Sequence, residues 1–268
     1  MPPSDRYRGP ATVPPSDRET VLRWSENELR DAADEPPAAL LAADSWLVAD
    51  GAVRALDAHW ARFGGWCAEL GVAIDELARF RASSIAALPR GHGRWFPRVE
   101  VVGGSPPALR LRLRPAPPAA TVARVLVAPP GDPRTRPRWK GPDLECLIAL
   151  RAQAGADELL LCHDDGRLLE GALSSLLWWE GDVLCTTPDE RTLPGVTRAL
   201  LLAAARRAGV ELRVRSPRPE ELAGCETWLT SALHGIRAVE GWGPAVRAAP
   251  WRAELERSAR PLRDERWV

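Results

Sequence analysis

The sequence predicts a two-domain α/β (α+β) protein, and three observations predict it. The chain has 268 residues, about two domains at a typical ~150 residues each. Stretches of helical and of strand periodicity alternate along it. Between them lies APPGDPRTRPRW, whose four prolines and one glycine exclude regular structure. Residues 1–128 then form an N-terminal α/β domain with an irregular lead-in over 1–20, residues 129–139 the linker, and residues 140–268 the C-terminal domain.

The elements follow in order. VLRWSENEL and DSWLVADGAVRALD read as strands, the second pair turning at Asp50-Gly51, where glycine takes positive φ without strain. Leu56, Trp60, Phe63, Cys67 and Leu70 recur at helical spacing, and a second helix starts at Ile74. GRWFPRVEVV, ALRLRLRP and TVARVLVAP read as strands, the middle one alternating leucine with arginine so that one face is charged. Beyond the linker, LECLIALRAQA reads as a helix with Asp143 as N-cap and Gly155 as its stop. DELLLCH, LLEGALSSLLWW and VLCTTP form an antiparallel meander with turns at Asp164-Asp165-Gly166 and Glu180-Gly181-Asp182. LPGVTR opens the helix ALLLAAARRA, which Gly209 ends before the strand VELRVR. ETWLTSALHG reads as strand into loop, and the Arg-rich C-terminus as a helix with a tail.

Composition removes several functions. Thirty-six basic residues balance 36 acidic ones, so no cationic excess exists to coat a phosphate backbone, and nucleic acid is not an expected partner. No apolar run reaches the ~18–20 residues that cross a bilayer, so no membrane is expected. The N-terminus opens with proline and charge and lacks an apolar signal region, which makes the cytoplasm the expected location. Five scattered cysteines without a CxxC pair suggest neither a disulfide framework nor a metal site; they read as small buried hydrophobes.

One number stands out. Of the 36 basic residues, a single one is lysine, Lys140. Arginine is always protonated and is no ordinary nucleophilic amine, so the lone amine either has a chemical task or is a chance survivor on a solvated face. LPGVTR presents free N–H groups and a positive dipole end, a means of holding phosphate, or is ordinary punctuation before a helix. Glu170 is the only charge in an otherwise apolar or small strand and is either buried with a partner or turned outward beside a hairpin. His59 and Arg62, three apart, share a helix face bordering the apolar stripe. An amine, a carboxylate, a helix N-terminus with a hydroxyl and an arginine are together what pyridoxal phosphate requires: a Schiff-base partner, a phosphate cradle and an acid at the ring nitrogen.

In order and spacing, the chain resembles the class IV aminotransferases, the D-amino-acid and branched-chain type, a family that includes aminodeoxychorismate lyase. The resemblance is firmest over GADELLL, DDGRLLEGALSS, LPGVTRALLLAAARRAG and ETWLTSALHGIRAV, and weaker over DSWLVADGAVRALDAHWARF. It implies fold type IV, with pyridoxal 5′-phosphate between the domains and a homodimer. It implies that Lys140 forms the Schiff base and moves the proton, and that Glu170 pairs with the pyridine nitrogen. It further implies that Arg62, Val196 and Thr197 hold the phosphate and that Thr230 and Ser231 lie in the second phosphate loop. The activity implied is transfer of an amino group between an amino acid and a 2-oxo acid. A lyase releasing pyruvate and a non-catalytic scaffold are the alternatives.

The sequence departs from the family at three places. Ser175 replaces a usual asparagine, Ala232 replaces a usual threonine, and AALLAADS stands where an early Gly-Asp-Gly...Glu turn often presents an aromatic. Asp44 and Trp46 occupy that region without an assigned role, and the only tyrosine is Tyr7. Arg94 and Arg98, in RGHGRWFPR, are the candidates for gripping a substrate carboxylate.

Overall fold

The computed structural model describes residues 19–262; most of the lead-in, with Tyr7, and residues 263–268 of the tail lie outside them. The first half contains β1 (Thr20–Ser25), β2 (Glu28–Asp31), β3 (Leu40–Ser45), β4 (Val48–Ala49), β5 (Ala52–Arg54), α1 (Leu56–Glu69), α2 (Ile74–Ala87), β6 (Arg94–Trp95), β7 (Arg98–Val102) and β8 (Ala108–Leu113). The second contains β9 (Val122–Ala123), β10 (Val125–Val127), α3 (Leu144–Ala154), β11 (Glu158–Cys162), β12 (Leu168–Gly171), β13 (Ser175–Glu180) and β14 (Val183–Thr186). After these come α4 (Val196–Arg207), β15 (Leu212–Val214), β16 (Thr227–Ser231), β17 (Gly235–Val239), α5 (Ala248–Arg257) and β18 (Ala259–Pro261).

The first half is built on an antiparallel sheet ordered β2-β1-β8-β7-β3. Strand alternation gives it two unlike faces. Leu22, Trp24, Val99, Val101, Leu109 and Leu111 turn into one core with Trp60, Phe63 and Phe80 of the helices. Arg98, Glu100, Arg110 and Arg112 alternate with them on the other face. The Asp50-Gly51 turn, both residues at positive φ, joins β4 to β5 as expected. β18 returns from the C-terminal end to pair with β5.

The second half centres on a six-stranded sheet ordered β15-β14-β13-β16-β17-β9. Its strand β13 is apolar on both sides because both sides are covered. Leu177 and Trp179 pack with Leu201 and Ala205 of α4 and Leu255 of α5. Leu176 and Trp178 pack with Leu160 and Leu168 of the neighbouring β10-β11-β12 sheet.

The structure departs from the sequence reading in several places. LLEGALSSLLWW is not one strand: β12 ends at Gly171 and β13 begins at Ser175, in a different sheet, so the expected meander is divided in two. The cause is Glu158, fully buried on β11, which accepts hydrogen bonds from Leu173 N–H (3.2 Å) and Ser174 Oγ (2.8 Å) and pins a turn there. TVARVLVAP also splits, β9 pairing with β17 and β10 with β11, both parallel. The strand ending at Ser45 begins at Leu40, within the alanine-rich stretch. Cys67, Cys162 and Cys185 are buried as expected, but Cys146 is exposed on α3.

Candidate active site

Lys140 is fixed through its neighbours. Trp139 stacks on Trp66 of α1, centroids 6.1 Å apart and planes at 26°, and Arg136 lies over the Trp139 ring, 4.7 Å from its centroid. The Lys140 carbonyl accepts a hydrogen bond from Ala43 N–H of β3 at 2.6 Å. Gly141, at φ +147°, lies so close to β3 that a Cβ there would be 2.7 Å from the Ala42 Cα; only glycine lets the two backbones meet. Asp143 does occupy the N-cap position of α3, but its side chain caps nothing. Its carboxylate turns back and accepts from Thr135 N–H (3.1 Å), Thr135 Oγ1 (2.7 Å) and Arg136 N–H (3.0 Å), holding the proline-rich segment in place. Burial lowers the Lys140 ammonium to about 8, and Arg62, Arg114 and Arg98 act the same way against the attraction of Asp44.

Asp44, on β3, is fully buried and saturated. It accepts from Arg62 Nε and one Arg62 terminal nitrogen, each at 2.8 Å, from His59 Nδ1 at 2.8 Å and from Ser45 N–H at 2.7 Å. Burial works to raise its pKa, yet Arg62 and His59 outweigh it and hold the carboxyl well below the usual range. Burial outweighs the attraction of Asp44 and lowers the His59 pKa. Because the carboxylate only accepts, the ring carries its proton on Nδ1. The remaining Arg62 nitrogen donates to the Pro194 carbonyl at 2.8 Å, tying α1 to the start of α4.

Glu170 lies one residue before the end of β12, and its carboxylate accepts from Leu193 N–H at 2.8 Å and from a terminal nitrogen of Arg134. Arg134 is itself gripped by Asp132 through Nε (2.8 Å) and a terminal nitrogen (3.0 Å), and reaches the Arg191 carbonyl at 2.8 Å. Burial pushes the Glu170 carboxyl up to about 7, against the pull of Arg134 and the Leu193 N–H. Proton uptake at this carboxyl therefore falls near neutrality.

The N-terminus of α4 opens on the same pocket, with Gly195 as N-cap and no side-chain cap. Its first N–H groups and dipole therefore face the cavity, an arrangement suited to an anion. A Cβ on Gly195 would collide with the Ser175 Oγ, so the serine standing where the family favours asparagine packs under this turn. Ser45 Oγ, also in the pocket wall, is buried without a hydrogen-bond partner. An anion cradle, an amine and a buried carboxylate in one enclosure, with a polar atom still unsatisfied, fit pyridoxal phosphate.

The cavity, of about 230 Å³, is lined by Lys140, Arg62, Glu170, Val196, Thr197, Thr230, Ser231 and Arg98, so nearly every site residue inferred from the sequence meets in one place. Arg94 is exposed on β6 and is not among the lining residues. Sequence reasoning missed Asp44 as a partner for Arg62, Arg134 as a partner for Glu170, and Arg114 in the pocket wall. None carried a local signal, since each acts across a tertiary contact.

This fold and pocket define the class of fold-type-IV pyridoxal-phosphate enzymes. Residues 41–242 match the family model described as amino-transferase class IV. The chain belongs to that family, and pyridoxal phosphate is its cofactor. Among solved structures, a fold IV transaminase from Curtobacterium pusillum is similar at 19% identity and a TM-score of 0.73, over 88% of this chain and 97% of that one. A branched-chain aminotransferase from Thermoproteus uzoniensis shows 17% identity and a TM-score of 0.72, over 91% of this chain and 100% of the other. A putative 4-amino-4-deoxychorismate lyase from Legionella pneumophila shows 16% identity and a TM-score of 0.67, over 84% and 97%. No curated protein matches the sequence. Among the described residues, no helix is long and apolar enough to cross a membrane.

Proposed function

We propose that the protein transfers an amino group between an amino acid and a 2-oxo acid, with Lys140 as the catalytic amine. The observation that carries this reading is that the chain's single lysine lines the same pocket as Glu170 and the uncapped start of α4. Pyridoxal phosphate supplies an aldehyde for an amine and a ring that accepts electrons. Arg62 and the backbone of Val196 and Thr197 hold the phosphate, assisted by the Thr197 hydroxyl and the Thr230–Ser231 loop. Asp44 keeps the Arg62 guanidinium oriented. Glu170 holds a proton at the pyridine nitrogen, and Arg134 supports it in the ionised form. With its pKa lowered to about 8, Lys140 has free amine available near neutral pH, and Nζ then accepts the proton leaving the substrate Cα.

The two-domain organisation belongs to the same reading and is supported by separate apolar cores over residues 22–113 and 123–255. So do the cytoplasmic location and the homodimer, which rest on the sequence reading and the family resemblance. The test is to follow the cofactor absorbance of purified protein with a panel of amino acids, with and without 2-oxo acids. Borohydride should fix the cofactor to the peptide containing Lys140, and turnover should require a 2-oxo acid. Pyruvate release from aminodeoxychorismate without an acceptor identifies the lyase instead, and a colourless protein indifferent to the cofactor identifies a scaffold.

A further inference from the structure

Arg54 ends β5, where its backbone pairs with Ala259 of β18, and its half-buried side chain crosses to the second half of the molecule. One terminal nitrogen donates to the Ala232 carbonyl at 2.8 Å, across 178 residues of sequence. Gly235, at φ +69°, closes the turn that follows Ser231, and a Cβ there would lie 3.3 Å from the other terminal nitrogen. The guanidinium group therefore packs against this turn from behind.

The recess that Arg54 lines adjoins the start of α4. His59, Val196, Thr197 and Ala232 line it too, and these four also line the cavity that holds Lys140. Arg54 thus stands on the far side of the same residues that form the phosphate cradle.

Charge gives that position its meaning. A phosphate monoester carries about −1.5 to −2 charges at pH 7, whereas a helix N-terminus offers the equivalent of about +0.5. Arg62 adds a full charge, but Asp44 meets it at two points, each at 2.8 Å. Arg198, in the first turn of α4, is answered by Asp189, and Arg134 by Asp132 and Glu170. Arg54 differs. Among the described residues the Ala232 carbonyl is the one hydrogen-bond partner of its side chain. Glu256 of α5 attracts it only from beyond ion-pair distance, and Arg94 repels it.

Resting on the assignment of the cofactor phosphate to this cradle, we infer that Arg54 is the charge-compensating residue of the phosphate site, held behind the cradle by the Ala232 carbonyl. A half-buried charge is screened less than an exposed one, so it acts across the thickness of the turn without touching the phosphate. The same hydrogen bond makes Arg54 a positioning residue for the turn beside Thr230 and Ser231.

The experiment compares pyridoxal 5′-phosphate with pyridoxal, which has the same aldehyde and ring and no phosphate. Apoprotein prepared from the purified enzyme is titrated with each compound by absorbance, in phosphate-free buffer, for the parent, Arg54→Gln and Arg54→Lys. Arg54→Gln should bind pyridoxal phosphate roughly ten- to hundredfold more weakly and pyridoxal within about twofold of the parent, as loss of one unit charge near a dianion implies. Arg54→Lys keeps the charge and should recover most of the loss. Equal weakening for both compounds gives Arg54 a structural part only and overturns the inference, as does parental affinity for both in Arg54→Gln. Should Arg54→Gln fail to fold, phosphorus NMR of the parent holoenzyme decides. A signal that keeps its dianion position down to about pH 5 supports a compensating cation, and one that titrates near 6, as a free monoester does, overturns it. A parent that binds the two compounds equally sinks the phosphate assignment beneath the inference, and a parent that takes up neither sinks the amino-transfer reading, each a separate and visible failure.

Discussion

Arg62 presents Nε and one terminal nitrogen to the two oxygens of Asp44, both at 2.8 Å, and Asp44 has no solvent exposure. A bidentate contact of this kind fixes the plane of the guanidinium as well as its position. His59 supplies a third hydrogen bond to the same carboxylate, at 2.8 Å. Only one edge of Arg62 remains for a ligand, and that edge is aimed by its partners.

Asp44→Asn should therefore weaken cofactor binding although Asp44 is assigned no contact with the cofactor. Removing one member of a buried ion pair costs about 3–5 kcal/mol of stability, so thermal unfolding should fall by several degrees and the cofactor dissociation constant should rise. Arg62→Ala should weaken cofactor binding by about 1.5–3 kcal/mol, the contribution of a hydrogen bond to a charged group. Equal cofactor affinity in parent and Arg62→Ala would remove the phosphate assignment.

Lys140 should titrate near 8 rather than near 10.5 in the apoprotein. A lowered pKa in a base means more free amine at a given pH. At pH 7.5 roughly a quarter of the molecules then carry the neutral amine, against about one in a thousand for an unperturbed lysine. Mass spectrometry of the Lys140 peptide after brief exposure to an amine-acylating reagent, over a pH series, should show an inflection near 8. An inflection above 10 refutes the lowered value.

Lys140 was legible in the sequence because it is unique, and LPGVTR because the start of a helix has its own local grammar. Arg134 was not: it is one of 35 arginines, set in an aperiodic run, and becomes meaningful only when folding brings it to Glu170, 36 residues away. Asp44 has no role legible in its own segment, since its partners sit on a helix 15 and 18 residues later. The break between β12 and β13 was hidden for the same kind of reason. Its turn is held by Glu158 on another strand, while the local pattern of small and apolar residues reads equally well as continuous.

Glu170 makes the apoprotein's stability depend on pH. Its folded pKa is raised to about 7 from an ordinary 4.5, so the folded state binds the proton more tightly than the unfolded one. The stabilisation is fully present below about pH 4.5 and is lost as pH rises through 7. Glu170→Gln keeps the shape of the neutral acid and removes that slope. In urea unfolding the variant should gain on the parent between pH 5 and pH 8 by up to about 3 kcal/mol. A difference between the two proteins that stays constant over this range means that the carboxyl does not titrate there.

Gly195 and Ser175 should behave as a coupled pair. Gly195 has ordinary extended backbone angles, φ −68° and ψ 119°, so an alanine there carries no backbone strain, and only space forbids it. Its Cβ would meet the Ser175 Oγ, whereas the Ser175 Cβ lies 3.5 Å away, an ordinary contact. Gly195→Ala should displace the first turn of α4 and so lower both stability and cofactor affinity. Ser175→Ala takes away the oxygen that obstructs the new methyl group, so the double variant should recover much of the loss. A coupling energy above about 0.5 kcal/mol, favouring the double variant, is expected for groups in contact. Simple additivity of the two changes would mean that the start of α4 is positioned by something other than this serine.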